Sequence, residues 1–585
     1  MAEPNTAGGA RAAGEARVRR AVVLLPIAVT LLAALWMHAA PANQLARTLP
    51  TEDAYYVLAV ARHMGMGDGV TADGRIDANG FQPLWAVVNA PLYAVAGGDR
   101  ITGLRLSQLL STALWLAFLA LLALHARELA RRHGSDGRIA AAATLIVAGG
   151  AVSVFRLFHN GLETGLTLVL LAGAVLQLDR WETWTPRRVL LAGVVLGLLT
   201  LARVDEVAFV VAFGAVSVFR ARHRLRDAVA PLAACAIAAV VLSPWIAWNF
   251  SLDGSPMPSS GKAESSGVDI AHNLDSALRA AGAWSLPPVL RPSMHFTEMP
   301  ISEVLSVLAL ALVAAAVVSV RRRRRAPLGA GTTALIAFVA FLALFYVTRF
   351  GPWWFMERYL APMLVLTIPW LATALELRRP SPRALPALVA IVLAANVPIL
   401  VVLASGDEHP PAWTARDSNL GAHPNLNVTE QLAWIDDHVN PRCVVGAFET
   451  GTLLYFRERT VNLDGKVDHD ALEARLNGGS FDYVDKREVD VMVDIESGPP
   501  RGLRPGSFHK VEDMGRYEAW VRNGRDRACL AGSTDSRGAL PPWPFARADR
   551  PHTQVARHMN GRPVVSDSAH GAKSSTMIGG SGLTG

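Results

Sequence analysis

From residue 21 to residue 404 the chain repeats one pattern, an apolar run rich in Ala, Leu and Val followed by a linker that holds most of the local charge. A membrane span needs about 20 mostly apolar residues to cross a hydrocarbon core of roughly 30 Å. About eleven runs approach that length, at approximately 21–40, 103–126, 139–158, 163–179, 188–202, 206–220, 228–249, 301–320, 330–348, 359–376 and 384–404. The linkers alternate in character. One set carries Arg17, Arg19 and Arg20; Arg127, Arg131, Arg132 and Arg138; Arg180, Arg187 and Arg188; Arg220, Arg222, Arg224 and Arg226; Arg321 to Arg325; and Arg378, Arg379 and Arg383. The linkers between them are poor in basic residues. Cytoplasmic linkers of membrane proteins carry the Lys/Arg excess, so the alternation predicts a cytoplasmic N-terminus and an outer C-terminal part. The pattern specifies a polytopic membrane protein.

Composition agrees once it is located along the chain. Charged residues make up 18% of the sequence, against about 25% in soluble domains, and the deficit belongs to the first 404 residues. This excludes a disordered chain, a disulfide-rich secreted domain and a simple cytosolic enzyme. The net charge of +7 comes from arginines placed between apolar runs, so it is a topology signal and predicts no nucleic-acid partner. Residues 1–20 form an N-terminal tail, 21–404 the membrane part with a long first outer loop at 41–102, 405–535 an outer domain, and 536–585 a Gly-, Ser- and Pro-rich tail expected to be disordered. The first run, ending in Met37-His38-Ala39-Ala40-Pro41-Ala42, also has the makings of a cleavable signal peptide. We read it as an uncleaved anchor. Cys235 lies inside a span as a small core residue, whereas Cys443 and Cys529 both fall in the outer domain, where a disulfide is possible.

The outer linkers carry the chemistry. The first opens with Pro50-Thr51-Glu52-Asp53-Ala54-Tyr55-Tyr56 and continues through Gly/Asp/Asn turns to Phe81-Gln82-Pro83-Leu84-Trp85. Glu52 or Asp53 is placed to act as a general base toward an incoming hydroxyl. The structural alternative is a helix start, with Thr51 as N-cap and two acids in the first turn. Asn160-Gly161-Leu162-Glu163 has the spacing of a capping box, and Arg203, Asp205 and Glu206 in the turn between two spans are able to pair with one another. Lys262, the only lysine of the membrane half, and Arg358 suit a phosphate, or else extend to lipid headgroups. Trp353, Trp354 and Phe355 suit an interfacial aromatic belt. No Cys/His cluster with metal spacing, phosphate-cradling Gly loop or serine-nucleophile elbow is present in the sequence.

Taken in order, these outer-end motifs resemble those of the GT-C superfamily of integral-membrane glycosyltransferases, especially the bacterial arabinofuranosyl-, aminoarabinose- and protein-mannosyl transferases. The resemblance rests on Glu52-Asp53-Ala54-Tyr55, Phe81 to Trp85, Gly161-Leu162-Glu163-Thr164, Leu201-Ala202-Arg203-Val204-Asp205, Gly254-Ser255-Pro256 with Lys262, and Arg358-Tyr359 with Pro362. It covers roughly 20–404. It implies a GT-C-like bundle of about eleven transmembrane helices with a small outer α/β domain. It also implies an inverting sugar transfer from a polyprenyl-phosphate donor to an envelope glycan, lipid or protein, with no cofactor beyond the lipid-linked donor and a divalent metal as an open alternative. Asp53 or Glu52 would then be the base, with Lys262, Arg358 and Arg203 holding the phosphate. Tyr55, Gln82, Trp85, Glu163 and Asp205 would line the substrate pocket. Two departures stand out: the acidic pair is Glu-Asp, and Gln82 replaces a basic or imidazole residue. A transporter or flippase for a lipid-linked glycan is the alternative, although no internal repeat is seen and the charges sit at span ends.

Beyond 405 the periodicity changes. Helix signals at Val428–His438, Gly451–Phe456 and Asp470–Leu476 alternate with apolar strands at Cys443–Phe448 and Val489–Val493, as expected of a small α/β domain. Asp464, Lys466, Asp468 and His469 follow a strand end and read most simply as a solvated turn, with acceptor binding as the other option.

Overall fold

The computed structural model describes residues 6–530, except 43–44, 47–49, 182, 266, 288–299, 324–326, 352–354, 406–425, 496–502, 505 and 515–516. Trp353, Trp354 and the tail expected to be disordered lie outside the described residues.

Helix α1 (Thr6–Ala39) is followed in the first outer loop by α2 (Glu52–Met66) and α3 (Pro83–Val95). The bundle continues with α4 (Arg100–Arg132), α5 (Arg138–Gly150), α6 (Val152–His159), α7 (Thr164–Arg180), α8 (Pro186–Ala202), α9 (Val207–Arg220) and α10 (Val229–Asp253). After α11 (Ser259–Ala263) and α12 (Ile270–Ser285) come α13 (Pro300–Arg323), α14 (Ala330–Arg349), the short α15 (Met356–Leu360), α16 (Met363–Leu377) and α17 (Ala384–Ser405). A helix thus lies on every apolar run. Among the described residues, 5 stretches are long and apolar enough to cross a membrane: Ala21–Ala39, Arg100–Arg132, Leu225–Asp253, Val304–Arg322 and Ala330–Arg349. Helices α5 and α6 supply a sixth if counted as one span broken by a 64° bend. Helices α7, α8, α9 and α16 have 17, 17, 14 and 15 residues and are short for a full crossing.

The break between α5 and α6 has a packing cause. At Gly150 a Cβ would come within 2.4 Å of Val392 and 2.8 Å of Pro26, so glycine lets α1 and α17 close in on this point. The Val152 N–H freed by the bend donates to Asn396 Oδ1 at 3.1 Å. Irregular backbone at membrane depth is tolerated only where protein satisfies it.

Polar side chains tie the two ends of the bundle in different ways. At the arginine-bearing end, Glu376 accepts the Gly137 and Ala140 N–H groups at 2.7 Å each, closing the start of α5. Asp179 accepts the Thr332 N–H at 3.0 Å in the first turn of α14. Helix starts leave N–H groups without partners, and these carboxylates supply them.

The opposite end carries the C-terminal α/β domain, the one expected on the outer side. It consists of α18 (Leu426–His438), β1 (Val445–Ala447), α19 (Gly451–Phe456), β2 (Thr460–Asn462), α20 (His469–Leu476), α21 (Ser480–Lys486), β3 (Val491–Ile495), β4 (Phe508–Asp513), β5 (Tyr517–Arg522) and α22 (Asp526–Cys529). The sheet order is β2-β1-β3-β5-β4. Strand β1 runs parallel to β2 and β3, which requires the helical crossovers α19 and α20–α21, and β5 joins β3 antiparallel. The expected helices and first strands are present; the β4–β5 hairpin and α21 had no strong sequence signal. Cys443 and Cys529 form a disulfide across 86 residues.

Contacts with the first outer loop seat this domain. Arg487 donates to Asp73 at 2.5 Å and to Asp468 at 3.1 Å, and both Arg487 and Asp73 are 9% exposed. Tyr56 OH donates to Asp464 at 3.0 Å. Glu52 accepts the Thr452 N–H at 2.9 Å and the Thr452 hydroxyl at the start of α19. Burial pushes the Glu52 carboxyl up to about 8, the Thr452 bonds pull it down, and Glu449 and Asp53 push it further up. One buried core runs from the spans through α2 into α19 and the sheet.

Arg487→Ala should strand two buried carboxylates and cost about 3–5 kcal/mol, read as a lower melting temperature of the detergent-solubilised chain; unchanged melting would remove this pair from the docking. Because the Glu52 pKa is raised on folding, its contribution is complete below the unfolded carboxyl value and is lost as pH rises through about 8. Thermal stability measured across that window should therefore fall in wild type and stay flatter in Glu52→Gln. Parallel curves would refute the assignment.

Candidate active site

Asp53 is the second residue of α2, one position past the residue that holds α19. Its Oδ1 accepts from Lys466 Nζ at 3.2 Å, and the same ammonium lies 2.9 Å from Glu264 Oε1. The three residues come from the first outer loop, the loop after α10 and the outer domain. Burial opposes the Lys466 charge, yet Asp53, Glu264 and Asp464 together outweigh it and hold the ammonium well above the ordinary lysine value. Burial raises Glu264 despite the pull of Lys466.

The expected N-cap does not form. Thr51 has extended backbone but makes no side-chain cap bond; its N–H and hydroxyl instead donate to Asn160 O at 2.9 and 3.4 Å. Nor does Asn160 start a capping box: its Oδ1 accepts the Leu162 N–H at 3.0 Å, while Glu163 turns to Arg203. Asn160 and Gly161 serve as a seam, because Gly161 O also accepts from the Trp85 indole at 2.8 Å. Glycine is required there: φ is +80°, and a Cβ would sit 2.7 Å from Ala54.

Arg203 is fully engaged. It donates to both Asp205 oxygens at 3.0 and 2.8 Å, to Glu163 at 3.4 Å and to the Tyr346 hydroxyl at 3.3 Å, and it stacks on Tyr359 at 4.9 Å. Tyr346 in turn donates to Asp205 and stacks flat on Tyr359 at 4.1 Å. This is the paired arrangement weighed for the turn, enlarged by Glu163 and two tyrosines. Lys262 is also paired, with Asp253 at 2.9 Å.

Arg358 differs from both. Its Nη2 donates to Tyr359 at 3.3 Å, and its guanidinium lies 5.0 Å from the Phe355 ring, but its buried Nε and Nη1 have no acceptor among the described residues. Glu163, Arg203 and Asp53 are all within its electrostatic range. Leaving charged donors unsatisfied costs more than the mean gain of a hydrogen bond, so Arg358 keeps donor capacity that Arg203 has spent.

Of the other expected residues, Gln82 accepts the Val204 N–H at 3.3 Å and fixes the Arg203 turn. Tyr55 is buried, donates to Ala46 O at 2.7 Å and packs on Tyr455 and Phe456. Tyr55 and Trp85 therefore hold the scaffold. The structure brings Asp53, Arg358, Arg203, Glu163 and Asp205 to one end and adds Lys466, Glu264, Tyr346 and Tyr359. A tyrosine within an apolar run was the available signal for Tyr346; Lys466 had none beyond its turn. The one group of three metal-capable residues among those described, Cys443, Asp490 and Cys529, contains the disulfide sulfurs and offers no thiolate.

No protein-family model and no curated protein matches the sequence. Solved structures do. The crystal structure of ArnT from Cupriavidus metallidurans bound to undecaprenyl phosphate superposes with a TM-score of 0.53 at 13% identity, over 85% of this chain and 97% of that one. Its apo state gives 0.51 at 14% identity, over 86% and 98%. The archaeal oligosaccharyltransferase AglB from Archaeoglobus fulgidus gives a looser 0.45 at 12% identity. The helical bundle followed by an α/β domain therefore has the fold of ArnT.

Proposed function

We propose that the protein is an inverting glycosyltransferase that moves a sugar from a polyprenyl phosphate to a hydroxyl of an envelope glycan, lipid or protein at the outer face of the plasma membrane. The observation that carries this is the proximity of a carboxylate able to act as base, Asp53, to the half-buried Arg358, whose Nε and Nη1 are buried without acceptors among the described residues. The arginine alternation supports a cytoplasmic N-terminus, and the Cys443–Cys529 disulfide suits an oxidising outer compartment.

The division of labour follows from the groups. Asp53 Oδ1 is held by Lys466, so Oδ2 is the oxygen left to take the acceptor's proton. As the proton leaves, the acceptor oxygen forms its bond to the anomeric carbon from the face opposite the phosphate. The anomeric C–O bond breaks with its electron pair going to the phosphate oxygen, so the configuration inverts. Phosphate is already a good leaving group, and what it needs is a cation on the oxygen that gains charge. Arg358 supplies that cation. Arg203 and Lys262, expected as further phosphate ligands, have carboxylate partners and serve to hold the cleft. Glu52 is engaged by α19, which favours Asp53 as the base.

With the purified protein reconstituted with radiolabelled polyprenyl-phosphate sugars and candidate acceptors, Asp53→Asn should lower transfer about 10²–10⁴-fold, whereas Glu52→Gln should retain most of it. Equal loss in both variants, or full activity in Asp53→Asn, would end the assignment of the base. Arg358→Ala should weaken retention of the lipid phosphate itself more than that of the acceptor, and Arg358→Lys should recover only part, because a point charge replaces a planar fork.

A further inference from the structure

Lys466 stands out because the base is otherwise built from the membrane part, while this cation is brought in by a separate domain. Its position is set by backbone contacts as well as by its charge. Ser259 Oγ donates to Lys466 O at 2.8 Å, and the Lys466 N–H donates to Asp464 Oδ1 at 2.6 Å. Gly80 of the first outer loop packs so close that a Cβ there would fall 1.4 Å from Lys466 O. Two outer loops therefore grip the backbone, and the side chain reaches between Asp53 and Glu264, which lie on different elements.

Two carboxylates from separate elements converging on one point are an arrangement suited to a hard divalent cation. Here that point holds an ammonium, a cation tethered to the chain. We propose that Lys466 is the resident cation of the catalytic centre, taking between Asp53 and Glu264 the place a divalent metal ion would otherwise fill. The proposal rests on Asp53 being the base. A metal ion does not fit alongside the ammonium, since it would need the same oxygens and would face its positive charge at short range. Chemically the substitution matters. A single charge bonded to Oδ1 orients Asp53 and leaves Oδ2 without that contact, whereas a metal ion could engage both oxygens of the carboxylate. Lys466 is a positioning residue for Asp53.

The test reads metal binding and not transfer, so its failure is separable from failure of the glycosyltransferase reading. The full chain in lipid nanodiscs is titrated with Mn²⁺ and free ion is followed by electron paramagnetic resonance. Wild type and Lys466→Arg are expected to show no saturable site that depends on Asp53. Lys466→Ala is expected to bind Mn²⁺ at least about tenfold more tightly, and adding Glu264→Gln should abolish the gain. Wild-type binding that is lost in Asp53→Asn would overturn the proposal without any lysine variant having to fold. A well-folded Lys466→Ala that binds Mn²⁺ no better than wild type would overturn it equally.

Discussion

An ionised group at the edge of a hydrocarbon slab has to be paired, hydrated or lost, and this requirement organises the whole outer end of the molecule. The spans place Glu163, Arg203, Asp205, Glu264 and Arg358 where bulk water is scarce. The fold answers with ion pairs that cross between elements: Arg203 joins α7, the α8–α9 turn and, through Tyr346, α14. Because Arg203 has partners on different segments, removing it would affect several helices at once. The same logic makes Arg358 informative. Beside the ion pairs of Arg203, the half-buried Arg358 keeps two guanidinium nitrogens without acceptors among the described residues.

That matching also explains why the outer domain is integral to the site. Glu52, Tyr56 and Asp73 on the first outer loop each bond to it, and the buried core continues from α2 into α19. Lys466 then enters the cleft from above. Neither half holds the complete arrangement: the membrane part supplies Asp53 and Glu264, which repel each other, and the domain supplies the charge that lets them approach.

The bundle was legible because hydrocarbon imposes a length and a polarity on every run, and the arginines mark alternate linkers. What periodicity does not show is how a run bends, and the break at Gly150–Ala151 depends on α1 and α17, remote in sequence. The acidic pair was legible as a pair but not as two roles. Only the approach of Thr452, 400 residues along the chain, separates Glu52 from Asp53. Arg203 and Lys262 illustrate the same limit from the cationic side. Their residue type suits phosphate, and whether a charge is available is decided by partners such as Glu163 and Asp253.

Lys466 is the clearest case, because the sequence places it in Asp464-Gly465-Lys466, a pattern that ordinarily marks a solvated turn. The turn is indeed there, with Gly465 at a φ of +81°. Its surroundings change the expectation: Gly80 leaves the Lys466 carbonyl the space a Cβ would fill, Ser259 donates to that carbonyl, and the partly exposed ammonium meets two carboxylates. A loop tip that looks like surface becomes a contact between the domain and the acidic residues Asp53 and Glu264 of the membrane part. Chemistry at such an interface is encoded jointly, by a glycine on one side and a lysine on the other, and neither residue declares it alone.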